Sequence, residues 1–223
     1  MPTPPGFRLL LITDRNALRA HDGDRTRALV EAIRQAVLGA SSGQMAVMVR
    51  EKDLSARQLH DLVARVGKVA KTAGAPVLVN DRVDIALALE TDGVHLPSSG
   101  LPPDIARTLL GESATIGVST HSLEEVRTAA EAGASYVTFG PVLDTPSKRR
   151  FGPPVGIKAL EAATSIRTRE GQRFPVYALG GVTCPRLARQ MLEAGAAGVA
   201  FIRAVIASDS PQAAAAAFLQ ATS

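Results

Sequence analysis

The stretch Ala132–Gly140, AGASYVTFG, places a helix stop directly before a short apolar run. Glycine is the usual residue just past a helix C-terminus, and Tyr136–Phe139 is typical of a buried strand. The same Ala-Gly-Ala phrase recurs at 73–76, before PVLV, and at 194–197, before GVAFI. The chain therefore repeats a unit in which a helix ends and a buried strand begins.

Reading outward from this stretch gives eight strand–helix units. The predicted strands are Phe7–Thr13, Met45–Val49, Pro76–Val79, Gly93–Leu96, Thr115–Val118, Tyr136–Phe139, Val176–Leu179 and Gly198–Ile202. The predicted helices are Arg25–Leu38, Ala56–Thr72, Val83–Leu89, Pro103–Leu110, a segment from Ser122 to Gly133, Ile157–Arg167, Cys184–Ala194 and Pro211–Leu219. The strands are near-continuous apolar runs, as in a parallel sheet covered by helices. We predict an α/β fold, a single (β/α)8 TIM barrel forming one domain over residues 1–223, with a doubly wound sheet as the alternative.

Composition narrows the class of protein. The 223 residues are 46% hydrophobic, which is ample for a core, but only 4% aromatic. The net charge of +4 comes from scattered residues without a Lys/Arg block, so nucleic-acid binding is disfavoured and a phosphorylated small molecule fits better. The single Cys184 excludes an intramolecular disulfide. Without a signal-peptide pattern or an apolar run long enough to cross a membrane, we expect a soluble cytoplasmic protein.

Polar residues concentrate where the predicted strands end, which is where TIM barrels carry their active sites. These residues are Asp14, Arg50, Glu51, Lys52, Asn80, Asp81, Ser98, Ser99, Ser119, His121, Thr145, Ser147, Lys148, Gly180, Gly181 and Arg203. Any single strand–helix junction is somewhat polar, so one such residue says little about function. The grouping of many polar residues at one end of the fold is what indicates a site.

Residues at three of these strand ends suggest anion or metal binding. In extended geometry Arg50 and Lys52 point to one side, with Glu51 on the other, and could clamp a phosphate or pyrophosphate. Asp81 could bind Mg²⁺ or cap the helix that starts at Val83. Gly180 and Gly181 could bring backbone N–H groups close to an anion, or could serve only a tight turn.

The loop Gly140–Gly156, GPVLDTPSKRRFGPPVG, is either an anion cradle or an ordinary solvated loop. At the end of the fifth strand, His121 could shuttle a proton near neutral pH, or could simply donate to a neighbouring carbonyl. His95 lies within the fourth strand and is expected to be a structural residue of the barrel.

Several motifs, in order, resemble the thiamine phosphate synthase/TenI family. They are LLLITD, VREK, LVNDRVDIAL, DGVHLP, IGVSTHSLEEV, YVTFGPVLDTPSK, ALGGVT and AGAAGVAFI, and they cover roughly Leu9 to Ile206. The resemblance implies a (β/α)8 barrel that binds a thiazole phosphate at the ALGG turn and the start of the last helix, here Gly180, Gly181, Ile202 and Arg203.

The resemblance also implies roles for other residues. Arg50, Lys52, Asn80 and Asp81 match the residues with which the synthase binds pyrophosphate, pyrimidine and Mg²⁺. The segment containing Thr145, Ser147 and Lys148 matches the one that closes over the reactants. Ser119 belongs to the segment that carries His121, and His121 matches the proposed acid/base of TenI-type thiazole tautomerases.

Two departures from the synthase pattern favour the tautomerase. Met48 stands where synthases usually have Gln, and Gly100 stands where they usually have a second metal-binding Asp. We therefore predict, first, a TenI-like thiazole tautomerase with His121 and Lys148 as catalytic residues and no cofactor. The alternative is a thiamine phosphate synthase with an altered Mg²⁺ site, which uses Asp81 as the metal ligand and also takes a pyrimidine pyrophosphate. A third possibility is a non-catalytic regulatory homologue. A homo-oligomer is compatible with each of these.

Overall fold

Eight strands, each parallel to its neighbour in the sequence, close into a barrel because the last strand pairs with the first. The computed structural model describes residues 4–18, 24–145 and 153–223. Its strands are β1 Leu9–Ile12, β2 Met45–Val49, β3 Val77–Asn80, β4 Gly93–Leu96, β5 Thr115–Thr120, β6 Tyr136–Phe139, β7 Val176–Leu179 and β8 Gly198–Phe201. This is the predicted (β/α)8 barrel, so the doubly wound alternative is wrong.

Helices follow the strands and cover the outside of the barrel. They are α1 Arg25–Leu38, α2 Ala56–Thr72, α3 Val83–Ala88, α4 Pro103–Leu110, α5 Leu123–Glu131, α6 Ile157–Thr164, α7 Pro185–Glu193, α8 Arg203–Ile206 and α9 Pro211–Thr222, with a 3₁₀ turn at Arg15–Ala17. Within the described residues, no helix is long and apolar enough to cross a membrane.

The three Ala-Gly-Ala phrases end helices as predicted. Gly74, Gly133 and Gly195 have φ values of 61°, 81° and 89°, in the left-handed region that glycine adopts without strain. Each follows the C-cap alanine of its helix, so the chain turns sharply towards the next strand. These turns fix where β3, β6 and β8 begin.

The interior of the barrel is a core separate from the layer between strands and helices. It contains Phe7, Leu10, Ile12, Ala46, Met48, Leu78, Tyr136, Tyr177 and Ala200. The two tyrosine rings have centroids 5.1 Å apart, and that of Phe7 lies 5.2 Å from that of Tyr177. Along each strand, every second residue faces inward. The next inward positions beyond this core, including Arg50 and Asn80, therefore lie at the end of the barrel where the strands have their C-termini, which we call the mouth.

Some boundaries differ from the sequence-based expectation. β5 continues to Thr120, two residues beyond its predicted end, because it pairs with β6 up to Phe139. α6 ends at Thr164 rather than Arg167, since the following chain folds back on itself in an antiparallel bridge between Arg167 and Arg173.

Candidate active site

Arg50 is anchored at the end of β2 by a chain of polar contacts. Its backbone N–H donates to the Thr13 hydroxyl at 2.9 Å, and that hydroxyl lies close to the Glu51 carboxylate. Glu51 is 4% exposed and accepts from the backbone N–H of Arg15 at 3.0 Å. Burial raises the pKa of Glu51, and its contacts with Thr13 and Arg15 oppose that rise. The arrangement fixes the backbone from which the half-buried Arg50 side chain extends.

Lys52 does not continue an extended strand. A turn begins at Glu51, where the backbone N–H of Leu54 donates to the Glu51 carbonyl at 3.3 Å. The expectation that Arg50 and Lys52 share one side of an extended chain is therefore wrong, although Glu51 does point away into the protein. The ammonium of Lys52 lies on an exposed turn beside the mouth.

Asn80 and Asp81 end β3 next to β4. Asn80 pairs with His95 in register, and the N–H of Asp81 donates to the His95 carbonyl at 3.0 Å. Asp81 has φ of 67°, a left-handed conformation that costs a residue other than glycine free energy. Its side chain is exposed and caps nothing, because α3 has Arg82 at its N-cap and no side-chain capping bond. The helix-cap interpretation of Asp81 is therefore wrong.

His95 lies buried below the mouth, as the sequence predicted. Its Nε2 is 2.9 Å from the Ser119 hydroxyl, and its Nδ1 is 3.0 Å from the Tyr136 hydroxyl. Burial, and secondarily the charge of Arg50, lowers the pKa of His95 to about 3. A neutral imidazole donates from one nitrogen and accepts at the other, so it holds Ser119 in place at the rim.

His121 stands where β5 ends, between the ends of β5 and β6. Its Nδ1 is 2.5 Å from the Gly140 carbonyl oxygen, and since a carbonyl only accepts, Nδ1 carries the proton. Its backbone N–H donates to the Glu125 carboxylate, while the Ser122 hydroxyl caps α5 by accepting from the N–H of Glu125 at 3.2 Å. When the ring carries only this proton, Nε2 is free to accept one.

The glycine turn after β7 packs tightly against the segment after β6. A Cβ on Gly180 would come within 2.6 Å of Pro141, and one on Gly181 within 2.4 Å of the Leu143 side chain. Both glycines have positive φ, of 100° and 73°. The glycines thus serve the tight turn, and they also let the Leu143 N–H reach the Gly180 carbonyl at 3.2 Å.

The amides around this turn and after β8 lie at the ends of two adjacent strands. Among the described residues, neither Gly181 nor Ile202 donates its N–H to another backbone group. Arg203 begins the short helix α8, and the first N–H groups of a helix have no partner within it. Many TIM barrels bind a phosphate after the seventh and eighth strands and at the start of a short extra helix, which is where these amides and the exposed Arg203 lie.

The loop singled out by its Thr-Pro-Ser-Lys sequence is described only in part. Thr145 is half-buried, interacts with another group of the protein and lies at the end of a described range. Ser147 and Lys148 lie outside the described residues.

The residues at the mouth could hold a magnesium ion only together with oxygen atoms from the substrate. No cluster of three or more His, Cys, Asp or Glu side chains occurs in the described part of the chain. At position 100 there is a glycine, and a Cβ there would already come within 2.8 Å of the Pro97 ring. Mg²⁺ is commonly held by one or two carboxylates together with substrate phosphates and water. The exposed Asp81, with the Asn80 amide beside it, meets that requirement if the substrate supplies phosphate oxygens.

Sequence reasoning did not assign the supporting roles of four residues, of which only Glu51 is among the polar residues that it singled out. Thr13, Arg15 and Glu51 hold the chain around Arg50, and Tyr136 holds His95. The signal available was their position: Thr13 and Glu51 are polar residues at the ends of apolar runs, and Tyr136 faces inward in the alternation of β6.

Comparison with known proteins gives one consistent result. The family model described as "Thiamine monophosphate synthase" matches residues 9–205. The "Thiamine-phosphate synthase" of Roseiflexus castenholzii is 38% identical over 216 residues, covering 96% of this chain and 88% of that protein. That of Clostridium novyi is 36% identical, over 92% of this chain and 94% of that protein. The structure of a thiamine phosphate pyrophosphorylase from Pyrococcus furiosus superposes with a TM-score of 0.80 at 28% identity, covering 98% of this chain and 96% of that one.

Proposed function

The chain belongs to the thiamine monophosphate synthase family of enzymes, and we propose that it is itself a thiamine phosphate synthase. Such an enzyme joins a pyrimidine methyl pyrophosphate to a thiazole phosphate and releases pyrophosphate. Relatives that carry the synthase name and match over most of both chains support this reading. None of the compared proteins points to the tautomerase branch that the sequence alone led us to favour.

Asp81 is the observation that carries the proposal. Its carboxylate is held in a left-handed backbone conformation, is exposed at the mouth, caps no helix and interacts in the described protein only through its charge with Arg82. Strain of this kind persists chiefly where function requires it. A pyrophosphate-releasing reaction needs such a carboxylate to hold Mg²⁺, whereas proton transfer on a thiazole does not. When bound, the ion would neutralise charge on the departing pyrophosphate.

The mouth offers separate positions for the two substrates. The thiazole phosphate would accept hydrogen bonds from the amides of Gly180, Gly181, Ile202 and Arg203 after β7 and β8. The pyrophosphate would lie across the barrel against Arg50 and Lys52, beside Asn80 and Asp81. This places the two reacting groups between the phosphate sites, over Ser119 and the buried His95.

The segment containing Thr145, Ser147 and Lys148 would close the site. Its two hydroxyls and one ammonium would donate to phosphate oxygens, and the ammonium of Lys148 would stabilise the charge that develops on pyrophosphate as its bond to carbon breaks. Closure would also keep water from the reacting carbon.

The test offers the purified protein both substrates with Mg²⁺ and follows thiamine phosphate and pyrophosphate together. We expect both products, and we expect Asp81→Ala to lower kcat/KM by about a hundredfold or more. Asp104→Asn, an exposed carboxylate on α4, is the matched control and should behave as the unaltered enzyme. Normal synthesis by Asp81→Ala would refute the role given to this residue.

A thiazole tautomerase remains the second candidate because of His121. The Gly140 carbonyl fixes its proton on Nδ1 and leaves Nε2 to accept one from a substrate. If the protein makes no thiamine phosphate but aromatises a thiazole carboxylate phosphate, and His121→Ala abolishes that reaction, this second candidate is correct and the synthase proposal fails.

A further inference from the structure

A cavity of about 460 Å³ lies at the end of the barrel opposite the mouth. It is formed where α5 and α6 end and where the chain folds back before β7. Its polar lining comprises Arg127, Glu131, Ser165, Arg167, Thr168 and Arg169. Because connections from helices to strands all lie at the N-terminal ends of the strands, no residue proposed for the active site reaches it.

The charges around this cavity are largely unpaired. Arg127 and Arg169 form no hydrogen bond or ion pair with another described residue, and Arg167 donates from Nη1 to the Gly171 carbonyl at 3.1 Å. Glu131 lies within 4 Å of none of these guanidinium groups, since no ion pair joins them. Three guanidinium groups against one carboxylate leave a local excess of positive charge.

Thr168 supplies an independent observation. Its Oγ1 is the one buried side-chain nitrogen or oxygen in the described residues that has no hydrogen-bond partner. The backbone around it is fixed, because the Thr168 N–H donates to Gln172 at 2.8 Å and its carbonyl accepts from Gly171 at 2.9 Å. Leaving a buried hydroxyl without a partner is unfavourable, and a rotation of the Thr168 side chain would bring this hydroxyl to the face of the cavity that the residue lines, where a ligand oxygen could accept from it.

We infer that this cavity is a second binding site, for a small phosphorylated molecule. Guanidinium groups and a hydroxyl donor are the side chains that recognise phosphate oxygens. Apolar side chains such as Ile166 leave room for an organic part, and the volume lies in the range of small-molecule sites. The C-terminal carbonyls of α5 and α6 point towards this end and disfavour an anion, so the arginines must provide the binding.

Calorimetric titration with inorganic pyrophosphate tests the inference. The double variant Arg50→Gln/Lys52→Gln first weakens binding at the mouth. In that background we expect saturable binding, weakened about tenfold or more by adding Arg127→Gln/Arg169→Gln. Adding Arg57→Gln/Arg65→Gln instead, which removes the same charge from the exposed face of α2, should leave the binding unchanged.

The outcomes separate this site from the one at the mouth. Absence of saturable binding in the Arg50→Gln/Lys52→Gln background, or binding that Arg127→Gln/Arg169→Gln does not weaken, would overturn the second site. If instead the unaltered protein binds one equivalent, and only Arg127→Gln/Arg169→Gln removes it, the second site stands and the phosphate site at the mouth fails.

Thr168→Val gives a further readout that a purely structural role would not move. Without ligand, the variant should melt at the same temperature as the unaltered protein or higher, because it removes an unpartnered hydroxyl. With pyrophosphate, its affinity at this site should fall about two- to tenfold. A lower melting temperature together with unchanged affinity would show that the hydroxyl is structural and would contradict the inference.

Discussion

The imidazole of His95 is surrounded by the hydroxyls of Ser119, Tyr136 and Thr138, and no carboxylate in the part of the chain that the structure describes hydrogen-bonds to it. In the folded protein its pKa falls from an ordinary value of about 6.5 to about 3. Between those two pH values the unfolded chain binds a proton that the folded protein does not. The contribution of His95 to stability is therefore fully present above pH 6.5 and is lost as the pH falls towards 3.

We expect His95→Gln to flatten this part of the pH dependence. The glutamine amide can donate and accept without titrating, so the free energy of unfolding should lose a pH-dependent contribution on the order of 3 to 5 kcal/mol between pH 6.5 and 3. Urea unfolding at several pH values in the part of this range where the protein stays folded measures the slope. His60→Gln, a histidine on the surface of α2, is the control and should keep the slope of the unaltered protein. Parallel curves for His95→Gln and the unaltered protein would show that His95 does not resist protonation.

At the level of single residues, the sequence predicted which side chains lie at the strand ends better than it predicted their contacts. Arg50, Asn80, Ser119 and His121 do reach the strand ends, since strand alternation and the position of a strand end determine that. The left-handed backbone of Asp81 and the turn at Lys52 depend on contacts with neighbouring strands, and no local pattern encodes those contacts. Met48, which stands where synthases usually have glutamine, is 1% exposed inside the barrel.

Two glycines, one in a strand and one in a helix, differ in the space that surrounds them. Gly117 lies in β5, where a Cβ would come within 2.3 Å of the Tyr136 ring and 2.5 Å of His95 Nδ1. Both neighbours are buried rings that cannot move away easily. Gly67 lies inside α2, and nothing lies within 4 Å of the position of its Cβ.

Alanine should therefore have opposite effects at the two positions. Gly117→Ala should lower the free energy of unfolding by about 1 to 3 kcal/mol or more, because the interior is already filled. Gly67→Ala should raise it by about 0.5 to 1 kcal/mol, since alanine loses less backbone entropy in a helix. Chemical denaturation of both variants under one set of conditions gives the comparison. A neutral Gly117→Ala would mean that the tyrosine layer is less tightly packed than the structure shows.

The sequence predicted which segments form helices and strands better than it predicted where each helix ends. The helix stops at Gly74, Gly133 and Gly195 are written in the sequence, because only glycine adopts their backbone conformation readily. The end of α6 is not, since Ile166 and Arg167 continue a helical pattern. Tertiary pairing of Arg167 with Arg173 overrides that pattern and also builds the wall of the second cavity.

At the scale of the whole molecule, closure joins the two ends of the chain. Leu9 in β1 pairs with Val199 in β8, and α9 packs against α1 and α7. The order of eight apolar runs predicted a closed barrel, since parallel strands covered by helices have few other arrangements. The packing of α9 against both α1 and α7 was not predictable, because the alanine-rich sequence of α9 has no marked apolar face.

Because the barrel is closed, we expect a substitution in the core-facing side of α9 to destabilise the whole barrel. Phe218 is 2% exposed, and its ring centroid lies 4.8 Å from that of Phe201 in β8. We expect Phe218→Ala to lower the free energy of unfolding by about 3 to 5 kcal/mol. Leu219→Ala, at the half-buried neighbouring position, should cost less.

The chain contains two tyrosines and no tryptophan, and Tyr136 and Tyr177 both lie inside the barrel. Tyrosine fluorescence therefore reports on the barrel interior, while far-ultraviolet circular dichroism reports mainly on the helices outside it. If the barrel and its helices unfold as one cooperative unit, the two signals will show the same midpoint in the unaltered protein and will shift together in Phe218→Ala. A circular-dichroism transition that moves while the tyrosine transition stays would show that α9 unfolds separately, and that the closed strands do not depend on it.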